Sequence, residues 1–308
     1  MRPRAVVVLN PAARRGTAFR RMEPLCDLLE SRFDATLMLT DLEGEWRGAL
    51  EDEVRSGVQV VIAAGGDGTV GAVASVLLSC PSGVKVALGA VGLGSSNDFC
   101  KPFGMVHAGV PLRIDLAGAR PRDVGRAVFS SNGEPPAERA FLVSASLGVT
   151  ARANARFNES RGKVLGLLKR RWVDAAVVYA ALATLAGHTN LRGCIRTDSE
   201  EGRFAISNLS VLKTPFLSGC LRYDTPVAPD SGLLAANLCH DMSRLSLMAT
   251  LTALFRGRFA GRSRTRCWTT RRLEVELQAP APLELDGEVV TARQVTFDVL
   301  PRRILTCA

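Results

Sequence analysis

A chain of 308 residues exceeds the usual span of one domain, so two domains are expected. Hydrophobic residues at 47% and charged residues at 22% match an ordinary soluble globular protein. Lys and Arg number 39 against 30 Asp and Glu, and the resulting charge of +9 favours anionic partners: phosphate-bearing substrates, anionic membrane or nucleic acid. The eight cysteines are scattered without a CxxC pair, and none of the three histidines stands at zinc-ligand spacing from one. Reduced thiols in a cytosolic protein are therefore expected. The N-terminal apolar run is too short for a signal-peptide core. The longest apolar stretch, 173–187, carries Asp174 and is shorter than a membrane span. A soluble protein, or one attached only at a membrane surface, follows.

In chain order, AVVVL (5–9) predicts a buried strand, and an amphipathic stretch follows from Ala18 to Arg32. ATLMLT (35–40) predicts a strand, Trp46 to Ser56 a helix, VQVVIAA (58–64) a strand, Gly71 to Ser79 a helix, and VKVALGAV (84–91) a strand. Such alternation implies crossover connections and an open, mainly parallel α/β sheet. From about residue 114 the texture changes. RIDLAGA, RAFLVSASLGV, LRGCIRTD, RFAISNLSVLK, GLLAANLCH, RRLEVELQ, LELDGEVV and VTFDVLP read as strands without intervening helices, the pattern of an antiparallel sandwich. Helical insertions are expected around 161–187 and from Met242 to Arg258. The predicted domains are 1–118, onto which a tail of about 295–308 packs back, and 119–294.

Two glycine-rich junctions lie at strand ends. The first, Gly65-Gly66-Asp67-Gly68-Thr69-Val70-Gly71, matches G-x-G-x-x-G, but no Asp or Glu follows between Gly68 and Asn97 to bind a ribose. That gap argues against a dehydrogenase site of the usual kind, and no P-loop string exists. A tight strand-to-helix turn with Asp67 as cap is the bland alternative. The second junction is LGAVGLGSSNDFCKPFG (88–104). Both follow parallel-strand candidates and belong at the carboxyl edge of one sheet, where glycine amides can face phosphate oxygens. Asp67 and Asp98 would repel a polyphosphate unless a divalent cation came with it, which points to Mg²⁺, directly or through water.

GGDGT, then GLGSSNDF, then LELDGE, with an early NPAAR, resembles the diacylglycerol kinase catalytic-domain family over nearly the whole chain. That family includes bacterial lipid kinases and sphingosine and ceramide kinases, and it shares a nucleotide-domain ancestry with NAD kinases. The resemblance implies an ATP- and Mg-dependent phosphotransferase acting on a lipid hydroxyl, of diacylglycerol type first, with a sphingoid base or ceramide as alternatives. It places Asn10, Pro11, Ala12, Ala13, Arg14, Thr40, residues 65–71, Gly94, Ser95 and Asn97 at ATP, with Arg14 or Arg15 near phosphate. Ser95 stands where the family usually has threonine. Asp67 and Asp98 are implied as organisers of the catalytic Mg²⁺. Asp286 is implied as the base that takes the acceptor's proton, with Glu288 the competing assignment; read alone, D-G is a strong hairpin-turn signal. One departure concerns a structural Mg²⁺ that the family holds with an acidic side chain and two backbone carbonyls. Ser231 replaces that acid, beside Asp230, and a hydroxyl is a poor ligand for a hard dication, so this metal is expected to be weak or absent.

Arginine-rich segments 155–172 and 256–272 interleave cations with Leu, Phe or Trp, as a surface docked on anionic lipid would. A cytoplasmic protein with peripheral membrane association is expected, with no nucleic-acid partner, since no such motif accompanies the charge. A homodimer is left open. An NAD kinase-like small-molecule kinase and an inactive lipid-binding regulator are the rival readings.

Overall fold

The computed structural model describes residues 2–41, 43–80, 85–131, 133–159 and 187–308, with main chain alone for 15 and 157–159. The chain divides into two units, Met1–Asp123 with Pro301–Ala308, and Val124–Leu300.

In the first unit β1 (Arg4–Leu9) pairs in parallel with β2 (Asp34–Leu39) and β3 (Val60–Gly65), and β4 (Ala87–Gly92) pairs in parallel with β3. All six residues of β3 and of β4 are buried. A strand covered on both faces needs an apolar side chain at every position, which is why VVIAAG and ALGAVG show no alternation. Short helices α1 (Ala13–Gly16), α2 (Ala18–Met22) and α3 (Cys26–Arg32) follow β1. The amphipathic stretch 18–32 is thus not one helix. A 3₁₀ turn at Glu23–Leu25 divides it, because Pro24 has no N–H to donate back along a continuous helix. α4 (Trp46–Arg55) buries Trp46, Leu50 and Val54, spaced four apart on one face. α5 (Asp67–Ser79) starts four residues before the predicted helix, at the aspartate itself. Val7, Leu9, Ile62, Ala64, Val91, Leu25, Leu29 and Phe33 share one core. Each large side chain among them contributes about 1.5–3 kcal/mol on leaving water.

Beyond β4, β5 (Met105–His107) and β6 (Val110–Arg113) form an antiparallel hairpin, and β6 runs antiparallel along β4. The strand expected at 113–119 is mostly turn. Asp115 Oδ1 accepts the Ala117 N–H, and Asp115 exchanges main-chain bonds with Ala308. Leu305 and Thr306 pair in parallel with Ala87 and Leu88, so the C-terminus adds to this sheet.

The second unit holds the hairpin of β7 (Arg120–Ser130), whose first four residues belong to the first unit, and β8 (Ala137–Phe141), then β9 (Ser144–Gly148) and α6 (Val149–Glu159). There follow β10 (Leu191–Thr197), β11 (Glu201–Leu212), the small pair β12 (Phe216–Leu217) and β13 (Leu221–Arg222), and β14 (Leu234–His240). α7 (Arg244–Leu254) is capped by Ser243, whose hydroxyl accepts the Ser246 N–H at 3.3 Å. β15 (Thr265–Thr270), β16 (Arg272–Leu285) and β17 (Glu288–Thr306) complete it, β17 ending in the first unit. β11 pairs antiparallel with β9, β10 and β14, and β16 with β9, β10 and β17. Phe141, Leu147, Leu209, Val211, Leu283 and Phe297 sit in its core. The helix expected at 161–187 lies outside the described residues, save Gly187, as does most of the arginine-rich segment 155–172.

Candidate active site

The two glycine junctions of the first unit lock together through their backbones. A side chain on Gly94 would come within 2.4 Å of the Gly66 Cα, and one on Gly66 within 3.3 Å of the Gly94 Cα. Gly65 is held to glycine by Thr69, whose Oγ1 would lie 2.3 Å from an added Cβ. The Leu93 and Gly94 amides both donate to the Gly65 carbonyl, at 2.8 and 3.1 Å. Thr69 is buried and accepts from Asn10 Nδ2 at 3.1 Å, while Asn10 Oδ1 accepts the Ala12 N–H at 3.0 Å. The early Asn10-Pro11-Ala12-Ala13 turn is thereby tied to the first glycine loop. Thr40, half-buried, bonds its N–H to the Leu9 carbonyl just past β2.

Gly66 caps α5 in an extended conformation, and Asp67 opens its first turn. Asp67 Oδ1 accepts the Phe99 N–H at 2.9 Å. Burial and then the neighbouring Asp98 push the Asp67 carboxyl up to about 6, against the pull of the Phe99 and Asp98 amides and of Lys101. The Asp98 carboxylate is buried, with Oδ1 2.7 Å from Lys101 Nζ. Asn97 adopts a left-handed conformation (φ 51°), and its side chain bonds both ways with Gly94: Oδ1 accepts the N–H at 2.9 Å and Nδ2 donates to the carbonyl at 3.2 Å. Phe99, fully buried, lies under the guanidinium groups of Arg113 and Arg122, at 5.6 and 4.8 Å. Asn97, Asp98 and Phe99 therefore act first on loop shape, whereas Ser95 is exposed.

Arg14 is exposed at positive φ (44°), and Arg21 donates from Nη1 to the Leu93 carbonyl at 3.2 Å. Burial and the nearby Arg14 lower the Arg21 pKa. Two guanidinium groups that repel each other beside a glycine loop favour an anion there. Arg21 was not singled out by sequence; its only signal is a spacing of seven from Arg14. The Arg15 side chain lies outside what is described.

In the second unit β16 and β17 are joined by the two-residue turn Asp286-Gly287, with φ values of 47° and 94°. The D-G pair is thus a hairpin turn of the kind that requires positive φ at both positions. It is more than that. Asp286 is buried, and its carboxylate accepts three main-chain amides: Leu142 on Oδ2 at 2.6 Å, and Val143 and Ser144 on Oδ1 at 3.0 and 2.9 Å. The Asp286 N–H in turn donates to the Ser144 carbonyl at 2.9 Å. Glu288 is exposed. Glu284, which sequence reasoning passed over, is buried beneath the turn; it accepts from Ser146 Oγ and from the Gly287 N–H, each at 2.6 Å. Alternation along L-E-L-D puts it on the face opposite Leu283 and Leu285, where an acid reads as solvent-facing, so the sequence carried no signal for its burial.

Which residues fit a cation can be tested on these contacts. Among the described residues no three His, Cys, Asp or Glu side chains gather as a metal cage. Asp67 fits a hard dication: burial and then a second carboxylate disfavour its charge, which a cation held there would relieve, with phosphate oxygens and water as its remaining ligands. The Ser231 position does not fit one. Ser231 Oγ donates to the Ala228 carbonyl at 2.9 Å, and Lys213 Nζ donates to the Ala228 and Leu233 carbonyls at 3.3 and 2.8 Å.

A glycine-locked α/β unit followed by an antiparallel β unit is the class of protein seen here, and comparison with known proteins gives the family. Residues 4–127 match the diacylglycerol kinase catalytic domain, and residues 143–307 the YegS C-terminal NAD kinase beta sandwich-like domain. The chain belongs to this family. A curated relative, "Probable lipid kinase YegS" of Salmonella heidelberg (strain SL476), is 31% identical over 115 residues. That stretch spans 37% of this chain and about a third (36%) of the relative. Among solved structures, a "putative diacylglycerol kinase" from Bacillus anthracis str. Sterne superposes with a TM-score of 0.73 at 18% identity, over 99% of this chain and 96% of the other. Yeast NADH kinase complexed with NADH gives 0.50 at 11% identity, over 100% and 84%. At these identities the structures speak for the fold alone.

Proposed function

We propose that the protein transfers the γ-phosphoryl group of ATP to the hydroxyl of a diacylglycerol-type lipid. The observation that carries this is the backbone lock of Gly66 on Gly94 at the start of α5, a helix N-terminus of the kind that suits phosphate, with the buried Asp67 carboxyl in its first turn. Bound Mg²⁺, held by Asp67, would neutralise charge developing on the transferred group. Arg14 and Arg21 add positive charge beside the same loop, and Thr40 and the Asn10-Pro11-Ala12-Ala13 turn border it. Asp286 takes the proton of the acceptor hydroxyl, oriented by its three amides, with Glu288 on the open side of the turn. Incubation with labelled ATP, Mg²⁺ and a total lipid extract is expected to label a single class of glycerolipid on chromatography. Label on sphingoid bases or ceramide would reassign the acceptor, label on NAD would favour the small-molecule rival, and no label on any of them would favour an inactive regulator.

The same reading includes docking of the second unit on an anionic bilayer. Among the described residues no helix is long and apolar enough to cross a membrane. Residues 242–273 contain eight arginines and no acid. Within 256–272 Phe259 and Trp268 are buried, so the apolar surface expected there is core. The outward apolar side chains belong to α7 and its end: Leu245, Met248 and Phe255 are 79%, 44% and 58% exposed, and they share one helical face between Arg244 and Arg256. Replacing all three with serine is expected to weaken sedimentation with phosphatidylglycerol vesicles by about tenfold or more, with activity in detergent micelles retained. Unchanged vesicle binding would remove α7 from the docking surface.

A further inference from the structure

Lys213 is the last place composition would put a charge. It follows β11 directly and is fully buried. Its ammonium group reaches across the unit to the turn between β13 and β14, where Nζ donates to the Leu233 carbonyl at 2.8 Å and the Ala228 carbonyl at 3.3 Å. Burying an ammonium is costly unless acceptors surround it, so a lysine at this depth implies a site built to receive a cation. The turn is drawn in around it. Ser231 closes the loop from the other side, its Oγ donating to Ala228 O at 2.9 Å and accepting the Leu233 N–H at 3.4 Å.

The geometry points to Lys213 Nζ as a built-in cation that holds the 228–233 turn in the place where relatives of this family use a divalent ion. Three features meet here. The two carbonyls flank position 231, where the family's acidic ligand is a serine in this chain. That serine spends its hydroxyl on one of the same carbonyls. The positive charge that would otherwise arrive as a dication is supplied by the chain, and a second, divalent charge beside it is repelled. The substitution at 231 and the lysine at 213 are then two halves of one exchange: an acid and a metal given up, a neutral hydroxyl and a tethered ammonium gained.

The turn matters beyond itself because Lys213 is also tied to the acidic hairpin. Its main-chain N–H donates to the Val143 carbonyl at 2.9 Å, and the Val143 N–H donates to Asp286 Oδ1 at 3.0 Å. Lys213 is thus linked through Val143 to the residues that hold the Asp286 carboxylate, and its own anchorage needs no metal.

Thermal melting of the full chain, with divalent ions chelated and with Mg²⁺ added back, tests this on three proteins. Amides of 228–233 in the parent should keep their hydrogen-exchange protection under chelation, whatever stability Mg²⁺ adds to the parent through Asp67. Lys213→Met is expected to melt roughly 5 °C lower or more, with two carbonyls deprived of the ammonium donor, and Mg²⁺ should not restore it. Lys213→Ala combined with Ser231→Asp is expected to recover stability when Mg²⁺ is added, beyond any rise the parent shows with the same titration. Chelation that strips protection from 228–233 in the parent would overturn the inference, a result that needs no variant to fold. So would a Lys213→Met protein as stable as the parent, or a double variant indifferent to Mg²⁺, Mn²⁺ and Ca²⁺. None of these readouts depends on kinase activity, so an inactive protein would refute the proposed reaction and leave this inference standing.

Discussion

Asp286→Asn is expected to lower turnover by about 10²–10⁴-fold, the usual worth of a positioned proton acceptor, with little change in the KM for ATP. The buried setting makes a second effect inseparable from the first. The parent carboxylate offers acceptor oxygens to Leu142, Val143 and Ser144. An introduced amide can keep its oxygen on the Val143 and Ser144 side, but its NH₂ then faces the Leu142 N–H, donor against donor. One unsatisfied buried donor costs about 1–3 kcal/mol. Asp286→Ala leaves all three amides without this acceptor and is expected to destabilise more. Turnover measured beside a melting curve separates the two consequences, since loss of stability alone leaves the specific activity of the folded fraction intact. An Asp286→Asn protein within tenfold of the parent turnover would remove this residue as base and leave Glu288 as the next to test.

Where the sequence was legible, the physics was local. The run from Ala5 to Leu9, or the one from Val60 to Ala64, is a buried strand because consecutive apolar residues have no polar face to offer solvent. Trp46 to Arg55 is a helix because its apolar positions fall four apart. The misread stretches are those whose shape is set from far away. RAFLVSASLGV looks like one strand, yet it breaks at Leu142 and Val143, whose amides turn to a carboxylate more than 140 residues later. β7 and β15 were missed because arginines and turn residues mask their alternation. At the candidate site, glycines and acids announced themselves, since GGDGT and GLGSSNDF each follow an apolar strand run directly. Arg21, Glu284 and Lys213 did not. Their meaning lies in partners 72, 138 and 20 residues away, at Leu93, Ser146 and Leu233. Asn97 and Asp98 were legible as motif but not as contact: one braces Gly94, the other pairs with Lys101.

Asp67→Asn is expected to make a more stable protein that no longer transfers phosphate. The Asp67 carboxyl titrates near 6 in the folded chain, above its ordinary 3.8, because burial and Asp98 oppose its charge. A carboxyl raised in this way binds more protons folded than unfolded between those two values. Its contribution to stability is therefore greatest below about pH 4, falls as pH rises, and has become a net cost above about 6. Asparagine removes the charge but keeps an oxygen for the Phe99 N–H. At pH 7.5 the variant should exceed the parent by on the order of 2 kcal/mol, since a tenfold change in proton affinity is worth about 1.4 kcal/mol. At pH 4 the two should nearly coincide. Denaturant melts at both values check the sign: a variant weaker than the parent at pH 7.5 would mean that Asp67 is held by something other than what opposes its charge. The same opposition is what a cation relieves. Mg²⁺ with ATP should raise the melting temperature of the parent, more at pH 7.5 than at pH 5, and should do so far less for Asp67→Asn. A site that keeps a buried and repelled charge when empty, and has it relieved on binding, is less stable than the fold allows, and the difference favours holding the metal and the phosphate beside it.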